Sequence, residues 1–164
     1  DGMMDNYEIA APLLLERNIP FTIFVITDNI RLGRNHYMNE SQLIEISRNP
    51  LVTIGSHTRS HKKLSLLSYP EILNEIQESK DYLEQILCKN ITALSYPYGI
   101  YNKKIINLVK ESGYKLAFNS NFNANYSTQS KHELSRTEIW NTDDLHHFKQ
   151  KLNGDWDWLK YRYL

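Results

Sequence analysis

Cysteine is nearly absent: the 164 residues hold one, Cys88, which excludes an internal disulfide and says little about redox compartment. Charge of neither sign is in excess, because 19 Lys and Arg balance 19 Asp and Glu. Such a chain offers no basic field to a nucleic-acid backbone or to an anionic membrane. Nor does any apolar run approach the roughly 20 residues of a membrane-spanning helix. No internal repeat and no linker divides the sequence, so residues 1–164 read as one domain, long enough for a real core.

What the chain has in quantity is aromatic side chains, 12% of the total, with eleven tyrosines and three tryptophans. Aromatic rings stack on sugars but also fill cores, so this weighs only mildly towards a carbohydrate ligand.

Apolar runs alternate with helical patterns along the chain. Residues 5–18 carry Ile9, Leu13 and Leu14 at helical spacing, with Asp5 or Asn6 as N-cap, and Pro12 predicts a late start or a kink. Residues 21–27 form a continuous apolar, β-branched run that predicts a strand buried on both faces. A polar loop over 29–39 and a short helix over 41–48, opened by Asn39 or Glu40, lead to a strand over 51–54. Ser68 and Glu71 form a capping box with Pro70 in the first turn. The helix they start runs to about Leu87, with Ile72, Ile76, Tyr82, Leu83 and Ile86 as its buried positions. A strand over 91–95, a helix over 102–112 stopped by Gly113, and a strand over 114–119 follow. An Asn/Ser-rich loop then reaches about Lys131, a last strand covers 134–140, and Thr142 or Asp143 caps a helix to Leu152. Residues 153–164 are aromatic-rich and carry no assignable pattern. Strands alternating with helices predict a parallel sheet with helices outside, and such sheets place their chemistry at the carboxyl ends of strands.

The strand over 51–54 delivers Gly55-Ser56-His57-Thr58-Arg59-Ser60-His61. A spacing of four lets both imidazoles face one point, in a helical turn or a tight loop. Neutral imidazole is the commonest zinc ligand, and an open catalytic zinc takes about three protein ligands plus a water. A third ligand must therefore come from elsewhere. Taken alone, the pair also reads as two histidines of a solvated loop.

Two further stretches bear on it: the opening Asp1-Gly2 and Ser95-Tyr96-Pro97-Tyr98-Gly99. With residues 56–61 they resemble the polysaccharide deacetylase family (the NodB-homology, carbohydrate esterase family 4 domain). The motifs of that family are Thr-Phe-Asp-Asp-Gly, His-Ser/Thr-x-x-His and Arg-x-Pro-Tyr/Phe-Gly. Here the second is complete, the third lacks only its Arg, and the first survives as its last two residues. The order and spacing suit the family across nearly the whole chain.

The resemblance implies an α/β fold, an irregular (β/α) barrel with fewer than eight regular strands. Its first strand would precede Asp1, so an upstream piece, with any signal peptide, is expected before this sequence. The resemblance also implies that Asp1, His57 and His61 bind one divalent metal, usually zinc. The reaction implied is hydrolysis of the acetamide of N-acetylated amino sugars in a bacterial poly- or oligosaccharide. The backbone N–H of Tyr98, aimed by Pro97 and Gly99, would complete the oxyanion site, and Pro97 and Tyr98 would line the substrate. Taken alone, Pro97-Tyr98-Gly99 is an ordinary turn. The general base of the family is the residue before Asp1, so a chain truly beginning at Asp1 is expected to turn over weakly or not at all. Ser95 stands where the family commonly has Arg. Arg136 either supplies that guanidinium from a later strand or forms a surface ion pair with Glu138 or Glu133. Thr58 and Ser60 either fix the histidine loop by hydrogen bonds or are merely loop hydroxyls. Trp140 is a candidate sugar platform or a core aromatic. His147, in Leu145-His146-His147, matches the family's Leu-x-His acid motif in letters, but its helical pattern reads as a helix surface. The rivals to the enzyme are a non-catalytic carbohydrate-binding domain on the same fold and a hydrolase of another non-peptide amide. The partner expected is an N-acetylated glycan. Its identity, the oligomeric state and the compartment stay open: envelope or secreted if an upstream signal was removed, otherwise cytoplasmic.

Overall fold

The computed structural model describes residues 1–161, and for 160 and 161 the backbone alone. The end of the aromatic tail, residues 162–164, lies outside the described residues. Four strands, β1 (Phe21–Val25), β2 (Val52–Ser56), β3 (Ala93–Ser95) and β4 (Leu116–Phe118), form one parallel sheet in the order of the chain. Helices α2 (Thr27–Arg31) and α3 (Glu40–Ser47) join β1 to β2, α4 (Tyr69–Leu87) joins β2 to β3, and α5 (Lys103–Glu111) joins β3 to β4. Parallel neighbours need such crossovers, and taking them in sequence curls the sheet into the arc of an irregular (β/α) barrel. The β1–β2 register sets Val25 against Ser56, and β3–β4 sets Ser95 against Phe118, so these four residues share the carboxyl edge.

The expectation that β1 is buried on both faces is corrected. Ile23 and Val25 enter the core, but Thr22 is exposed and Phe24 half-buried, because their face looks into a cleft. The strand also ends at Val25 rather than Thr27. The Ile26 N–H donates to the Asp1 carbonyl, and the Thr27 and Asp28 N–H groups donate to the carbonyls of Thr58 and Arg59. The chain thus leaves the sheet for the histidine loop and turns into α2, where a polar loop was expected.

The capping box of α4 forms as predicted, with the Ser68 N–H donating to Glu71 Oε2 at 2.8 Å. Ile72, Ile76, Leu83 and Leu87 are buried, and each contributes about 1.5–3 kcal/mol on the usual scale for such side chains. Tyr82 and Ile86 pack at the margin of the same core. In the first helix, residues Asn6–Ala10 form a π-helical segment before α1 (Ala11–Glu16). Pro12 falls in the first turn of α1, where its missing N–H costs nothing, and Asp5 makes no side-chain cap.

Two late predictions need correction. Residues 134–140 are not a strand: only Leu134 bridges to Phe118, and then the Asn125 side chain takes the place of a neighbouring strand. Asn125 Oδ1 accepts from the Ser135 N–H, and its Nδ2 donates to the Ser135 carbonyl. The last helix, α6 (Leu145–Asn153), is capped by Asp144 rather than Thr142 or Asp143. The Asp143 carboxylate is already engaged by Lys151 and by the Trp140 N–H.

Candidate metal centre

The histidine loop begins where β2 ends, and it is bonded on every side. The His57 N–H donates to the Val25 carbonyl at 2.8 Å. Ser56 Oγ accepts from the Thr58 N–H at 3.1 Å and shares a hydrogen bond of 2.7 Å with Ser79 Oγ. Ser60 donates twice to the buried Glu75 carboxylate, from its N–H at 2.8 Å and from its hydroxyl at 2.5 Å. Thr58 Oγ1 accepts from the His61 N–H at 3.2 Å, so Thr58 and Ser60 both fix the loop. These bonds hold a strained backbone, since Thr58 and His61 take φ of 65° and 61°. A β-branched residue there costs on the order of 1–3 kcal/mol and persists only when its surroundings impose it.

Glu75 and Ser79 are two site residues that sequence reasoning missed. They lie four apart on α4, on the face that also buries Ile72, Ile76 and Leu83. A carboxylate inside an apolar helical stripe was the available signal, because an acid is rarely buried without donors.

Three ligand groups converge on the loop. Asp1 Oδ1, His57 Nε2 and His61 Nε2 lie within 4.8 Å of one another, at 3.4 Å from Asp1 to His57 and 3.1 Å between the imidazoles. Asp1 is placed by its own carbonyl on the Ile26 N–H and by the next carbonyl, of Gly2, on the Met38 N–H. The ring of His57 is oriented by Nδ1, 2.8 Å from the Ser95 carbonyl. A carbonyl only accepts, so Nδ1 carries the proton and Nε2 turns a bare lone pair towards His61 and Asp1. Burial pushes the His57 imidazole down to about 3, and only the Ser95 hydrogen bond, second in weight, pulls it back up. Burial also lowers His61. Two neutral imidazoles and one carboxylate are the donor set of an open tetrahedral zinc site, and the residues present fit the ion.

The surrounding cleft, about 540 Å³, is lined on its other sides by Phe24, Ser95, Tyr98, Ser120, Arg136 and Glu138. Tyr98 sits at φ 59°, 57% exposed, with its ring 4.7 Å from that of His61. Gly99 makes this turn possible: at φ 67° a Cβ would lie 2.7 Å from the Ser120 nitrogen. Pro97 opens the same turn and is buried beneath it.

Arg136 is turned inwards. Its Nη2 donates to Ser95 Oγ at 2.6 Å and its Nε to the Asn119 carbonyl at 3.1 Å, with the guanidinium 5.1 Å from the Phe24 ring centroid. The alternative, a surface ion pair with Glu138 or Glu133, does not form among the described residues. The guanidinium lines the same cleft as Asp1, His57 and His61. Trp140 lines a neighbouring pocket rather than the cleft itself. His147 is outside both pockets. Its N–H donates to Asp144 Oδ1 at 2.8 Å and its Nδ1 lies 3.4 Å from the Asp144 N–H, which makes it part of a helix cap.

A parallel (β/α) arc thus carries an Asp-His-His cluster that could hold a metal ion at its carboxyl edge. Residues 1–117 match the sequence profile of the family described as Polysaccharide deacetylase, and the chain belongs to that family. Among curated relatives, it is 32% identical over 123 residues to the poly-beta-1,6-N-acetyl-D-glucosamine N-deacetylase of Staphylococcus epidermidis, covering 68% of this chain and 43% of that protein. It is 25% identical over 159 residues to the enzyme of the same name from Staphylococcus aureus, covering 90% and 54%. The chain thus spans about half the length of the curated relatives it matches. Among solved structures, the Streptococcus pyogenes deacetylase PplD, in complex with acetate, superposes with a TM-score of 0.86 at 27% identity, covering 92% of this chain and 66% of that one. The matched profile includes Asp1, His57, His61 and Tyr98 and stops short of Arg136 and Trp140.

Proposed function

We propose that this chain carries the catalytic centre of a metal-dependent N-deacetylase, which hydrolyses the acetamide of N-acetylated amino sugars in a bacterial poly- or oligosaccharide. The observation that carries this reading is the convergence of Asp1, His57 and His61 within 4.8 Å, with the His57 tautomer set by Ser95. Zinc suits the three ligands best, and when bound it supplies the Lewis acidity that polarises an acetamide carbonyl. The names of the staphylococcal relatives make a β-1,6-linked N-acetylglucosamine polymer the first substrate to try.

The residues of this chain divide the remaining work. His57 and His61 hold the ion through nitrogens that stay unprotonated at neutral pH. Tyr98, on a left-handed turn against His61, brings a backbone N–H towards the oxyanion that forms when water adds to the carbonyl. Pro97 and Gly99 hold that turn. Arg136, fixed on Ser95, provides a positive charge in the cleft that Asp1 also lines, in place of the Arg of the family's third motif. Trp140 offers a substrate contact beyond the cleft. The non-catalytic rival rests on Ser95 in place of an Arg, on a general base outside this sequence and on an acid without a clear candidate. Arg136 bonded to Ser95 weakens the first of these, while His147 in a helix cap leaves the third as it was.

Replacing His57 with Ala tests the reading. Zinc binding and acetate release should fall together, and acetate release that persists without His57 would refute the metal centre.

A further inference from the structure

Hydrolysis of an acetamide turns one neutral group into two ions. Water adds across the C–N bond: its oxygen goes to the carbonyl carbon, and the electron pair of the broken bond stays on nitrogen, which takes a hydrogen of the water. At neutral pH the acid formed then yields a proton and the amine gains one, which leaves acetate and an ammonium. Acetate meets positive groups in the cleft. The ammonium forms beside the Arg136 guanidinium and beside three ligands that fit a divalent cation, and like charges in one cleft repel. A carboxylate in the same cleft would relieve that repulsion.

Two acidic residues line the cleft, Asp1 and Glu138. Asp1 belongs to the ligand cluster and is spent there. Glu138 is exposed and makes no ion pair among the described residues, not even with Arg136 two positions away. The Arg136 guanidinium is turned instead to Ser95 Oγ and the Asn119 carbonyl. The next acid along the chain, Asp143, is taken by Lys151 at 2.6 Å. Glu138 is anchored through one oxygen of its two, since Oε2 accepts from Trp140 Nε1 at 3.2 Å. The wall beyond Arg136 thus carries an anchored carboxylate with no cation of its own. At about 540 Å³ the cleft falls within the range of small-ligand sites, about 300–1,000 Å³, so one bound sugar can touch both walls. A carboxylate meeting an ammonium there forms a charge-assisted hydrogen bond, about twice as strong as a neutral one.

We infer that Glu138 is a catalytic residue of this chain: its carboxylate receives the leaving nitrogen as the C–N bond breaks and holds the amino-sugar product as an ammonium. The inference rests on the deacetylase reading of the cleft and adds to it a site for the cationic product.

The test pairs binding with turnover on the zinc-loaded, full-length protein and its Glu138→Gln and Glu138→Asp variants. The binding probes are glucosamine and glucose, which differ at one position in an ammonium against a hydroxyl. Calorimetry at about pH 6.5, where the amine is protonated, should show glucosamine bound about tenfold more tightly than glucose. E138Q should lose this preference and E138D keep part of it, with zinc affinity by chelator competition unchanged in both. At about pH 9, where the amine is neutral, the preference of the unmodified protein should shrink. In turnover of an N-acetylglucosamine oligomer, kcat and kcat/KM should fall together about tenfold in E138Q, the signature of an interaction made only as the nitrogen leaves. If E138Q loses zinc as well, E138D and the glucosamine preference of the unmodified protein decide. Acetate release and glucosamine binding that E138Q leaves unchanged overturn the role of Glu138 and leave the deacetylase standing. Glucosamine held through Glu138, with no acetate released from any N-acetylated glycan, supports the ammonium site and overturns the deacetylase. Equal binding of glucosamine and glucose by the unmodified protein overturns the ammonium site.

Discussion

Arg136 donates to the hydroxyl of Ser95 at 2.6 Å across 41 residues of sequence, so a guanidinium stands over the place where the family's third motif commonly carries its own Arg. The guanidinium lines the same cleft as Asp1, His57 and His61. Its second bond, to the Asn119 carbonyl, fixes the fork.

Arg136→Ala should therefore lower kcat about 10–100-fold, the scale of losing hydrogen bonds made by a charged group. Arg136→Lys should recover only part of this, because a single ammonium cannot bridge Ser95 and Asn119 together. Zinc affinity, read by chelator competition, should be unchanged in both, which separates this role from a ligand's.

Glu75 accepts two hydrogen bonds from Ser60, in the loop that carries His57 and His61. In Glu75→Ala the Ser60 N–H and hydroxyl lose their acceptor, and zinc affinity should fall about 10–100-fold, as it does when a ligand's support is removed. Two donors left without a partner should also lower stability by about 1–3 kcal/mol. Unchanged zinc affinity would show that the loop holds its shape by the Ser56 and Thr58 bonds alone.

His57 links folding to pH. Burial holds its folded pKa at about 3 against 6.5 when unfolded, so between these values the unfolded chain binds a proton that the folded chain refuses. The stability of the metal-free protein should be complete above pH 6.5 and fall as the pH drops towards 3. The loss is on the order of a few kcal/mol. Urea unfolding at stepped pH reads it, and His57→Phe should flatten this part of the profile.

Much of this was readable from local pattern. The apolar run of β1, the Ser68–Glu71 box and the four-residue spacing of His57 and His61 all depend on neighbours in sequence. What escaped depends on distant partners. α2 forms where Thr27 and Asp28 bond to the histidine loop some thirty residues on. Residues 135–140 look like a strand until the Asn125 side chain takes the ladder position. Glu75 stands out within the apolar stripe of α4, but its partner, Ser60, is named only by the folded loop. Arg136 could be named from its type and place, but its choice between Ser95 and an ion pair is settled only by packing on Phe24 and Phe118.

Acetate release from N-acetylglucosamine oligomers, measured with and without chelator and with zinc restored, tests the central claim most directly. The full-length protein should be used. Release that chelator abolishes and zinc restores is the predicted result. Release that ignores the chelator, or zinc bound with no acetate from any oligomer, would contradict it.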